Sequence, residues 1–474
     1  MKKIIITFCF LTSIQLTFGQ DIITFKISKP YCIFNFLETA TNQQGTSSTL
    51  NDFIALNTKN DSVFKRLCLE FKNIQTDYNY KREEFPENRR QNRSTKDLID
   101  IALVNSNTLD EFKNKTIGIL PNSEQQKLVN VLKQTEKFYD NLLWNNNEQK
   151  LSNQKKELEL YASKSSEIFN KFQHFYNSSW TTDIPFIVTL YPIPGKRGNS
   201  TATPHANSLC VGVLTDEIRH IERIGVVLHE MCHVLYDEQT KEFQHEIEKW
   251  FDNNSSPYKQ YAYNFFDEGL ATALGNGWAF KNLSGSIDTS EWYDNEYING
   301  FAKELYPLVE DYINNNQQID KQFIDKSIEL FAKKFPNSVS DYGILLNRVS
   351  IYSDAETDLE RADLMNTIGE KFQLSNVNSS SPILDKTSLE LLKNSTQTQL
   401  VIISKNHKDN FNALRKMFPI LSKINPTTNT IFSFYDKNNR PIIILFATEN
   451  KYINDLVKRM ETLKYFDTKK IIQK

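Results

Sequence analysis

His229, Glu230 and His233 stand in the run Val226-Val227-Leu228-His229-Glu230-Met231-Cys232-His233-Val234-Leu235-Tyr236, with the spacing His-Glu-x-x-His. On an α-helix, residues four apart lie nearly one above the other, so the two imidazoles face one point in space. That is the bite a tetrahedral Zn²⁺ takes from two nitrogen ligands. Glu230 sits about 100° around the helix from His229. From there it reaches a water at the metal without ligating the metal, which is the position of a general base. The chain has only seven His in 474 residues, so this pentapeptide arises by chance on the order of one time in a hundred.

The element that must present these side chains is legible around them. Ile221, Ile224, Val227, Leu228, Met231 and Leu235 recur at helical spacing, which predicts a buried amphipathic helix. A buried helix has to satisfy its two His and its Glu in some way. Cys232 precedes His233 by one residue and points about 100° off the histidine face, so it reads as a small buried hydrophobe. There is no Cys-x-x-Cys pair, and with it no support for a structural zinc ribbon or a redox motif.

A catalytic zinc has three protein ligands and one open position. Downstream lies Phe265-Phe266-Asp267-Glu268-Gly269-Leu270-Ala271-Thr272-Ala273-Leu274, and residues 258–274 read as a second helix. Asp267 and Glu268 point about 100° apart on such a helix, so one of them at most faces the metal. His-Glu-x-x-His followed by Glu-Gly-Leu-Ala resembles the gluzincins, zinc metallopeptidases with two His on one helix and a ligand Glu on a following helix. The resemblance covers about residues 180–340. It implies that His229, His233 and Glu268 hold one Zn²⁺ per chain, that Glu230 is the base, and that the substrate is a peptide or protein. Asp267 stays as the competing third ligand. In thermolysin-like members an acidic residue one turn after the ligand Glu orients a ligand His. Thr272 occupies that position here, and Asp237, one turn after His233, is another candidate for the task.

The resemblance also implies a small sheet beside the active-site helix, with an edge strand that aligns an extended peptide. Two strand-like runs precede the helix, at 184–191 and 208–215, joined by a turn-rich connector. Leu209, Val211 and Val213 are the candidate edge positions; the alternative is an internal strand. Tyr297 lies on the helix expected after the third ligand, where such enzymes place a group that stabilises the oxyanion. Tyr293 and Tyr306 compete with it in a chain of 20 Tyr. His205, in a polar loop, reads either as a substrate contact or as an ordinary surface His.

The expected fold is α+β and mostly helical, with a gluzincin-like core of a small sheet and active-site helices. Residues 1–19 read as a signal peptide: two Lys, a short apolar core and small residues before the cleavage point. Residues 20–180 read as a mostly helical region that opens with a strand-like stretch, 22–36. Residues 181–340 read as the catalytic domain and 341–474 as an α/β accessory domain, with strands near 348–352, 399–403, 430–434 and 441–446. The leader implies an exported protein, periplasmic or secreted, and the excess of Asn, Lys and Ile points to a bacterial origin. No later run is long enough to cross a membrane. Cys32 and Cys68 are candidates for one disulfide in such a compartment. Net charge is −2, which points to neither nucleic acid nor an anionic membrane as partner. The rival functions are a zinc hydrolase of a non-peptide substrate, and a binding or scaffold protein with a vestigial site.

Overall fold

A computed structural model describes residues 21–43, 45–78, 95–181 and 183–473. The expected signal peptide, and all but the last residue of the charged stretch at 81–95, lie outside the described residues. The fold is α+β and mostly helical. It divides into two compact units, Met1–Gln239 with Asn282–Gly285, and Thr240–Lys281 with Ser286–Lys474. The division runs through the segment 181–340 that the sequence assigns to one catalytic domain. The helices of 20–180 and the first sheet share one unit, and residues 341–474 share the other with 240–281 and 286–340.

The first unit is built on β1 (Ile23–Lys26), β2 (Phe186–Ile193), β3 (Ala202–His205) and β4 (Ser208–Leu214), in the spatial order β1-β2-β4-β3. The first three in that order run parallel, and β3 is antiparallel to β4. β4 is buried along its whole length and β2 at all but one position, as expected of strands covered on both faces. The 22–36 stretch is a strand only as far as Lys26, because Ser28 starts a helix, Lys29–Ala40. Ser28 Oγ accepts the Tyr31 amide at 3.3 Å, and Pro30 stands in the first turn, where its missing N–H costs nothing. Tyr31, Phe34, Phe36 and Leu37 of that helix share a core with Tyr191, Ile193, Cys210 and Leu214 of the sheet. Cys32 and Cys68 are both free thiols rather than a disulfide; Cys32 Sγ donates to the Leu190 carbonyl at 3.6 Å.

The second unit carries β5 (Arg348–Ser353), β6 (Asn376–Ser380), β7 (Thr398–Ile403), β8 (Thr430–Tyr435), β9 (Pro441–Phe446) and β10 (Ile472–Gln473). Their order is β10-β8-β9-β7-β5-β6. β6, β5, β7 and β9 are parallel, and β8 and β10 close one side in antiparallel fashion. Side chains alternate between two cores. Val349, Leu400, Ile443 and Leu445 face helices 358–369 and 453–463, and Val401, Ile403, Ile442 and Ile444 face helices 386–394 and 407–417. Among the described residues no helix is long and apolar enough to cross a membrane.

Candidate metal centre

The predicted helix forms over His220–Asp237, and Ile224, Val227, Leu228, Met231, Cys232 and Leu235 are buried along it. It packs on β3, β4 and helices 145–159 and 162–175. Its start is anchored by Arg223, whose guanidinium grips Glu217 with two bonds, Nε–Oε1 at 3.0 Å and Nη2–Oε2 at 2.8 Å, and bonds Ser200 Oγ at 3.0 Å. Just past its end, Gln239 Nε2 donates to the Tyr176 carbonyl at 2.6 Å. Held at both ends, the helix sets His229 Nε2 and His233 Nε2 3.1 Å apart. Two nitrogens bound to one tetrahedral zinc, at the usual bond length, lie roughly 3.3 Å apart.

Glu268 comes from the helix Phe266–Thr272. The helix expected over 258–274 is broken at Phe265, whose φ of −104° and ψ of 3° leave helical values. The Phe265 ring is wedged between Tyr297 and Phe331, which fixes the break in place. After Thr272 the chain widens into a π-helical segment, Ala273–Ala279, a deviation that often accompanies functional sites. Gly269 and Gly277 let these turns lie close to aromatic rings. A Cβ at Gly269 would come 2.8 Å from Phe301 Cδ1, and one at Gly277 would come 2.8 Å from Trp292 Cζ3.

His229, His233 and Glu268 form one group of ligand atoms all within 4.8 Å of one another, and this group could hold a metal ion. It is the one such group of three or more His, Cys, Asp and Glu among the described residues, and Asp267 does not belong to it. His229 and Glu230 are buried, at 6% and 7% exposure, while His233 and Glu268 are partly open. Two imidazoles and a carboxylate with nitrogen-to-nitrogen spacing of this kind suit Zn²⁺. Asp237 is the last residue of its helix and half-buried. Thr272 is fully buried at the end of the Glu268 helix.

Three expectations are corrected. Leu209 and Val211 are not edge positions: β4 lies between β2 and β3, and they pair with Pro204 and Ala202. Val213 belongs to the same interior strand, just past the reach of β3. The outer strand beside β4 is β3, which the sequence hid inside a connector, and β1 forms the opposite edge. Pro204 was the available signal, because proline is confined to strands with one unpaired side. Gly212 N donates to the Thr201 carbonyl at 2.9 Å, so Thr201, Thr203 and His205 turn their main-chain groups toward β4, and Ala202 and Pro204 turn theirs outward.

Tyr297 is committed elsewhere. Its hydroxyl donates to Asp341 Oδ1 at 2.7 Å and its ring packs on Phe265 and Phe335. Tyr306 donates to Glu310 at 2.7 Å.

His205 is neither exposed nor open to a substrate. It is 7% exposed, with Nδ1 2.9 Å from Asp97 Oδ1 and Nε2 3.5 Å from Asp100 Oδ2. Burial alone would lower its pKa, but the two carboxylates outweigh burial and leave it raised. Asp97 and Asp100 stand one turn apart on helix 95–104, but nothing in the sequence ties that pair to His205, more than 100 residues away. The network extends to Lys96, which pairs with Glu38 at 3.0 Å and Asp100 at 3.5 Å.

Comparison of the chain with protein-family models, with curated proteins and with solved structures returned no match.

Proposed function

We propose that this protein is an exported zinc metallopeptidase of gluzincin type. The observation that carries the reading is the convergence of His229, His233 and Glu268 from two helices, with His233 and Glu268 35 residues apart in the chain (268 − 233) and Glu230 buried next to His229 in sequence. A Zn²⁺ held by these three residues supplies Lewis-acid polarisation of a water and of the scissile carbonyl. The Glu230 carboxylate takes a proton from the attacking water and delivers it to the nitrogen of the departing amine. The outward main-chain groups of β3, the Ala202 N–H and C=O and the Pro204 C=O, suit an extended peptide laid alongside as an added strand. The leader-like start of the sequence supports export.

The test is metal content and cleavage of a mixed peptide library, wild type beside Glu230→Gln and His233→Ala. Glu230→Gln should keep one zinc per chain and lose about 10²- to 10⁴-fold in turnover; His233→Ala should lose both metal and turnover. Zinc without cleavage in the wild type would move the reading to another acyl substrate. Absence of zinc, or full activity in Glu230→Gln, would sink it.

A further inference from the structure

The second unit contains a cleft of about 720 Å³ between the helix Lys259–Asn264 and the amino ends of β5, β7 and β9. Its volume falls in the range of small-molecule sites. Its lining is unusual in charge: Lys259, Arg348, Lys393 and Arg440 contribute, and no Asp or Glu does. The remaining wall is largely amide and hydroxyl, including Gln260, Asn264, Gln397 and Tyr261.

Only one of the four cations is neutralised. Arg440 is nearly buried, pairs with Asp436 at 2.7 Å, and donates to the Leu392, Lys393 and Ser395 carbonyls at the end of helix 386–394. That is a structural brace. Lys259, Arg348 and Lys393 have no ion pair among the described residues. The Lys259 ammonium bonds only the Asp252 carbonyl. Arg348, first residue of β5, lies with its guanidinium 5.4 Å from the centre of the Tyr263 ring. Its Nε is buried and has no hydrogen-bond partner. A buried guanidinium N–H left without an acceptor costs free energy that a ligand oxygen would recover. A guanidinium held over an aromatic ring is pre-organised, with less rotamer entropy left to lose on binding.

The other crevice of this sheet, at the carboxyl ends of β5 and β7, is the usual ligand position for a parallel sheet. Its central carboxylate, Asp354, is already satisfied by the Ser404 amide at 2.8 Å, the Ser404 hydroxyl at 2.7 Å and the Lys405 amide at 2.5 Å. The pocket at that end is smaller, about 300 Å³, and is lined by Asp354, Glu360 and Asp363, whereas the amino end presents unpaired positive charge.

We infer that the cleft between helix Lys259–Asn264 and the amino ends of β5, β7 and β9 is a binding site for an oxyanion, a carboxylate or phosphate group on a polar ligand, with Arg348 as its anchor. The planar fork of arginine matches either group with two parallel bonds. Lys393 and Lys259 add a field that is strongest at low salt. The inference does not depend on the metal centre.

The experiment is calorimetric titration of the full chain at low ionic strength with three probes: inorganic phosphate, the dipeptide Glu-Glu, and Gln-Gln as the neutral control, both dipeptides N-acetylated and C-amidated so that Gln-Gln carries no carboxylate. Phosphate, Glu-Glu or both should bind and Gln-Gln should not, and whichever anion binds identifies the source of the oxyanion. Arg348→Gln should weaken the binding anion about tenfold or more, and Arg348→Lys by less, since it keeps charge and loses the fork. Should Arg348→Gln fail to fold, Lys393→Gln carries the test: its side chain is exposed, and a loss of roughly threefold is expected from one rim charge. Failure of both anions to bind at millimolar concentration overturns the inference. So does equal binding of Gln-Gln, or anion binding unchanged in the Arg348 and Lys393 variants.

Discussion

Gly269 follows Glu268 directly, and the missing side chain is what allows the Phe266–Thr272 helix to rest on Phe301. The Glu-Gly-Leu-Ala string thus carries two physical demands, a carboxylate at one position and close packing at the next. Gly269→Ala should destabilise the protein by about 1–3 kcal/mol, because the added methyl meets a packed ring. It should also weaken retention of a bound metal in a chelator competition, since any shift that relieves the clash moves the neighbouring carboxylate. Gly369→Ala is the comparison: a Cβ there meets nothing within 4 Å, and the change should be neutral or mildly stabilising in urea denaturation. Equal effects from the two substitutions would remove the packing argument. At this scale the sequence was most legible where one short motif sets both residue type and spacing, as at His229, Glu230 and His233. It was least legible at His205 and Tyr297, whose partners, Asp97, Asp100 and Asp341, are far away in the chain and carry no local pattern.

The tie between β3 and the helices beneath it is made of ionisable groups, so its strength depends on pH. Glu38 is 6% exposed; burial first, and then the nearby Asp100 charge, raise its pKa from 4.5 to about 7 against the pull of Lys96. His205 is raised as well, from 6.5. Both groups hold a proton more tightly folded than unfolded. The stabilisation they give is complete below their unfolded values and is lost as pH rises through the folded ones. For Glu38 that window runs from 4.5 to about 7. Thermal melting of the first unit should therefore fall between about pH 5 and pH 8, and Glu38→Gln should flatten the fall by removing the burial cost of the charge. A melting curve that ignores pH across that range, or a slope unchanged in Glu38→Gln, would show that the network does not titrate with folding. Elements were legible in proportion to their burial. β5, β7, β8 and β9 are apolar runs and were anticipated within two residues. β6, Asn-Val-Asn-Ser-Ser, has no buried position, and β3 is mostly half-exposed, so neither leaves a hydrophobic signature.

At the scale of the whole chain, the joint between the two units is invisible in composition. The helix ending at Asp237 is followed by Thr240, which caps the next helix through the Phe243 amide at 3.2 Å. No Gly or Pro occurs from Val226 to Ser256 to mark a linker. The expectation of a separate helical region over 20–180 also had a physical basis, because that stretch is helix after helix from Lys29 to Phe175. Their sheet, however, is supplied by later residues: Ile23 pairs with Phe186, and Tyr191, Ile193, Cys210 and Leu214 complete their core. A fragment of residues 21–180 should therefore lack a cooperative thermal transition, whereas 21–239 should melt as one unit. Cooperative melting of the shorter piece would overturn this account of the core.

That pairing also has a meaning in time. β1 and β2 are neighbours in space and 163 residues apart in the chain (186 − 23). At the pace of synthesis, the first strand waits on the order of ten seconds for its partner to be made. Parallel pairing over such a distance is among the slowest steps a domain takes. The helices of residues 29–175 can collapse earlier, with the slot for β2 still empty. The folding rate of this protein should then be set by the pairing of Phe186–Ile193 with β1, a late docking onto helices already collapsed that gives β4 its own edge to join.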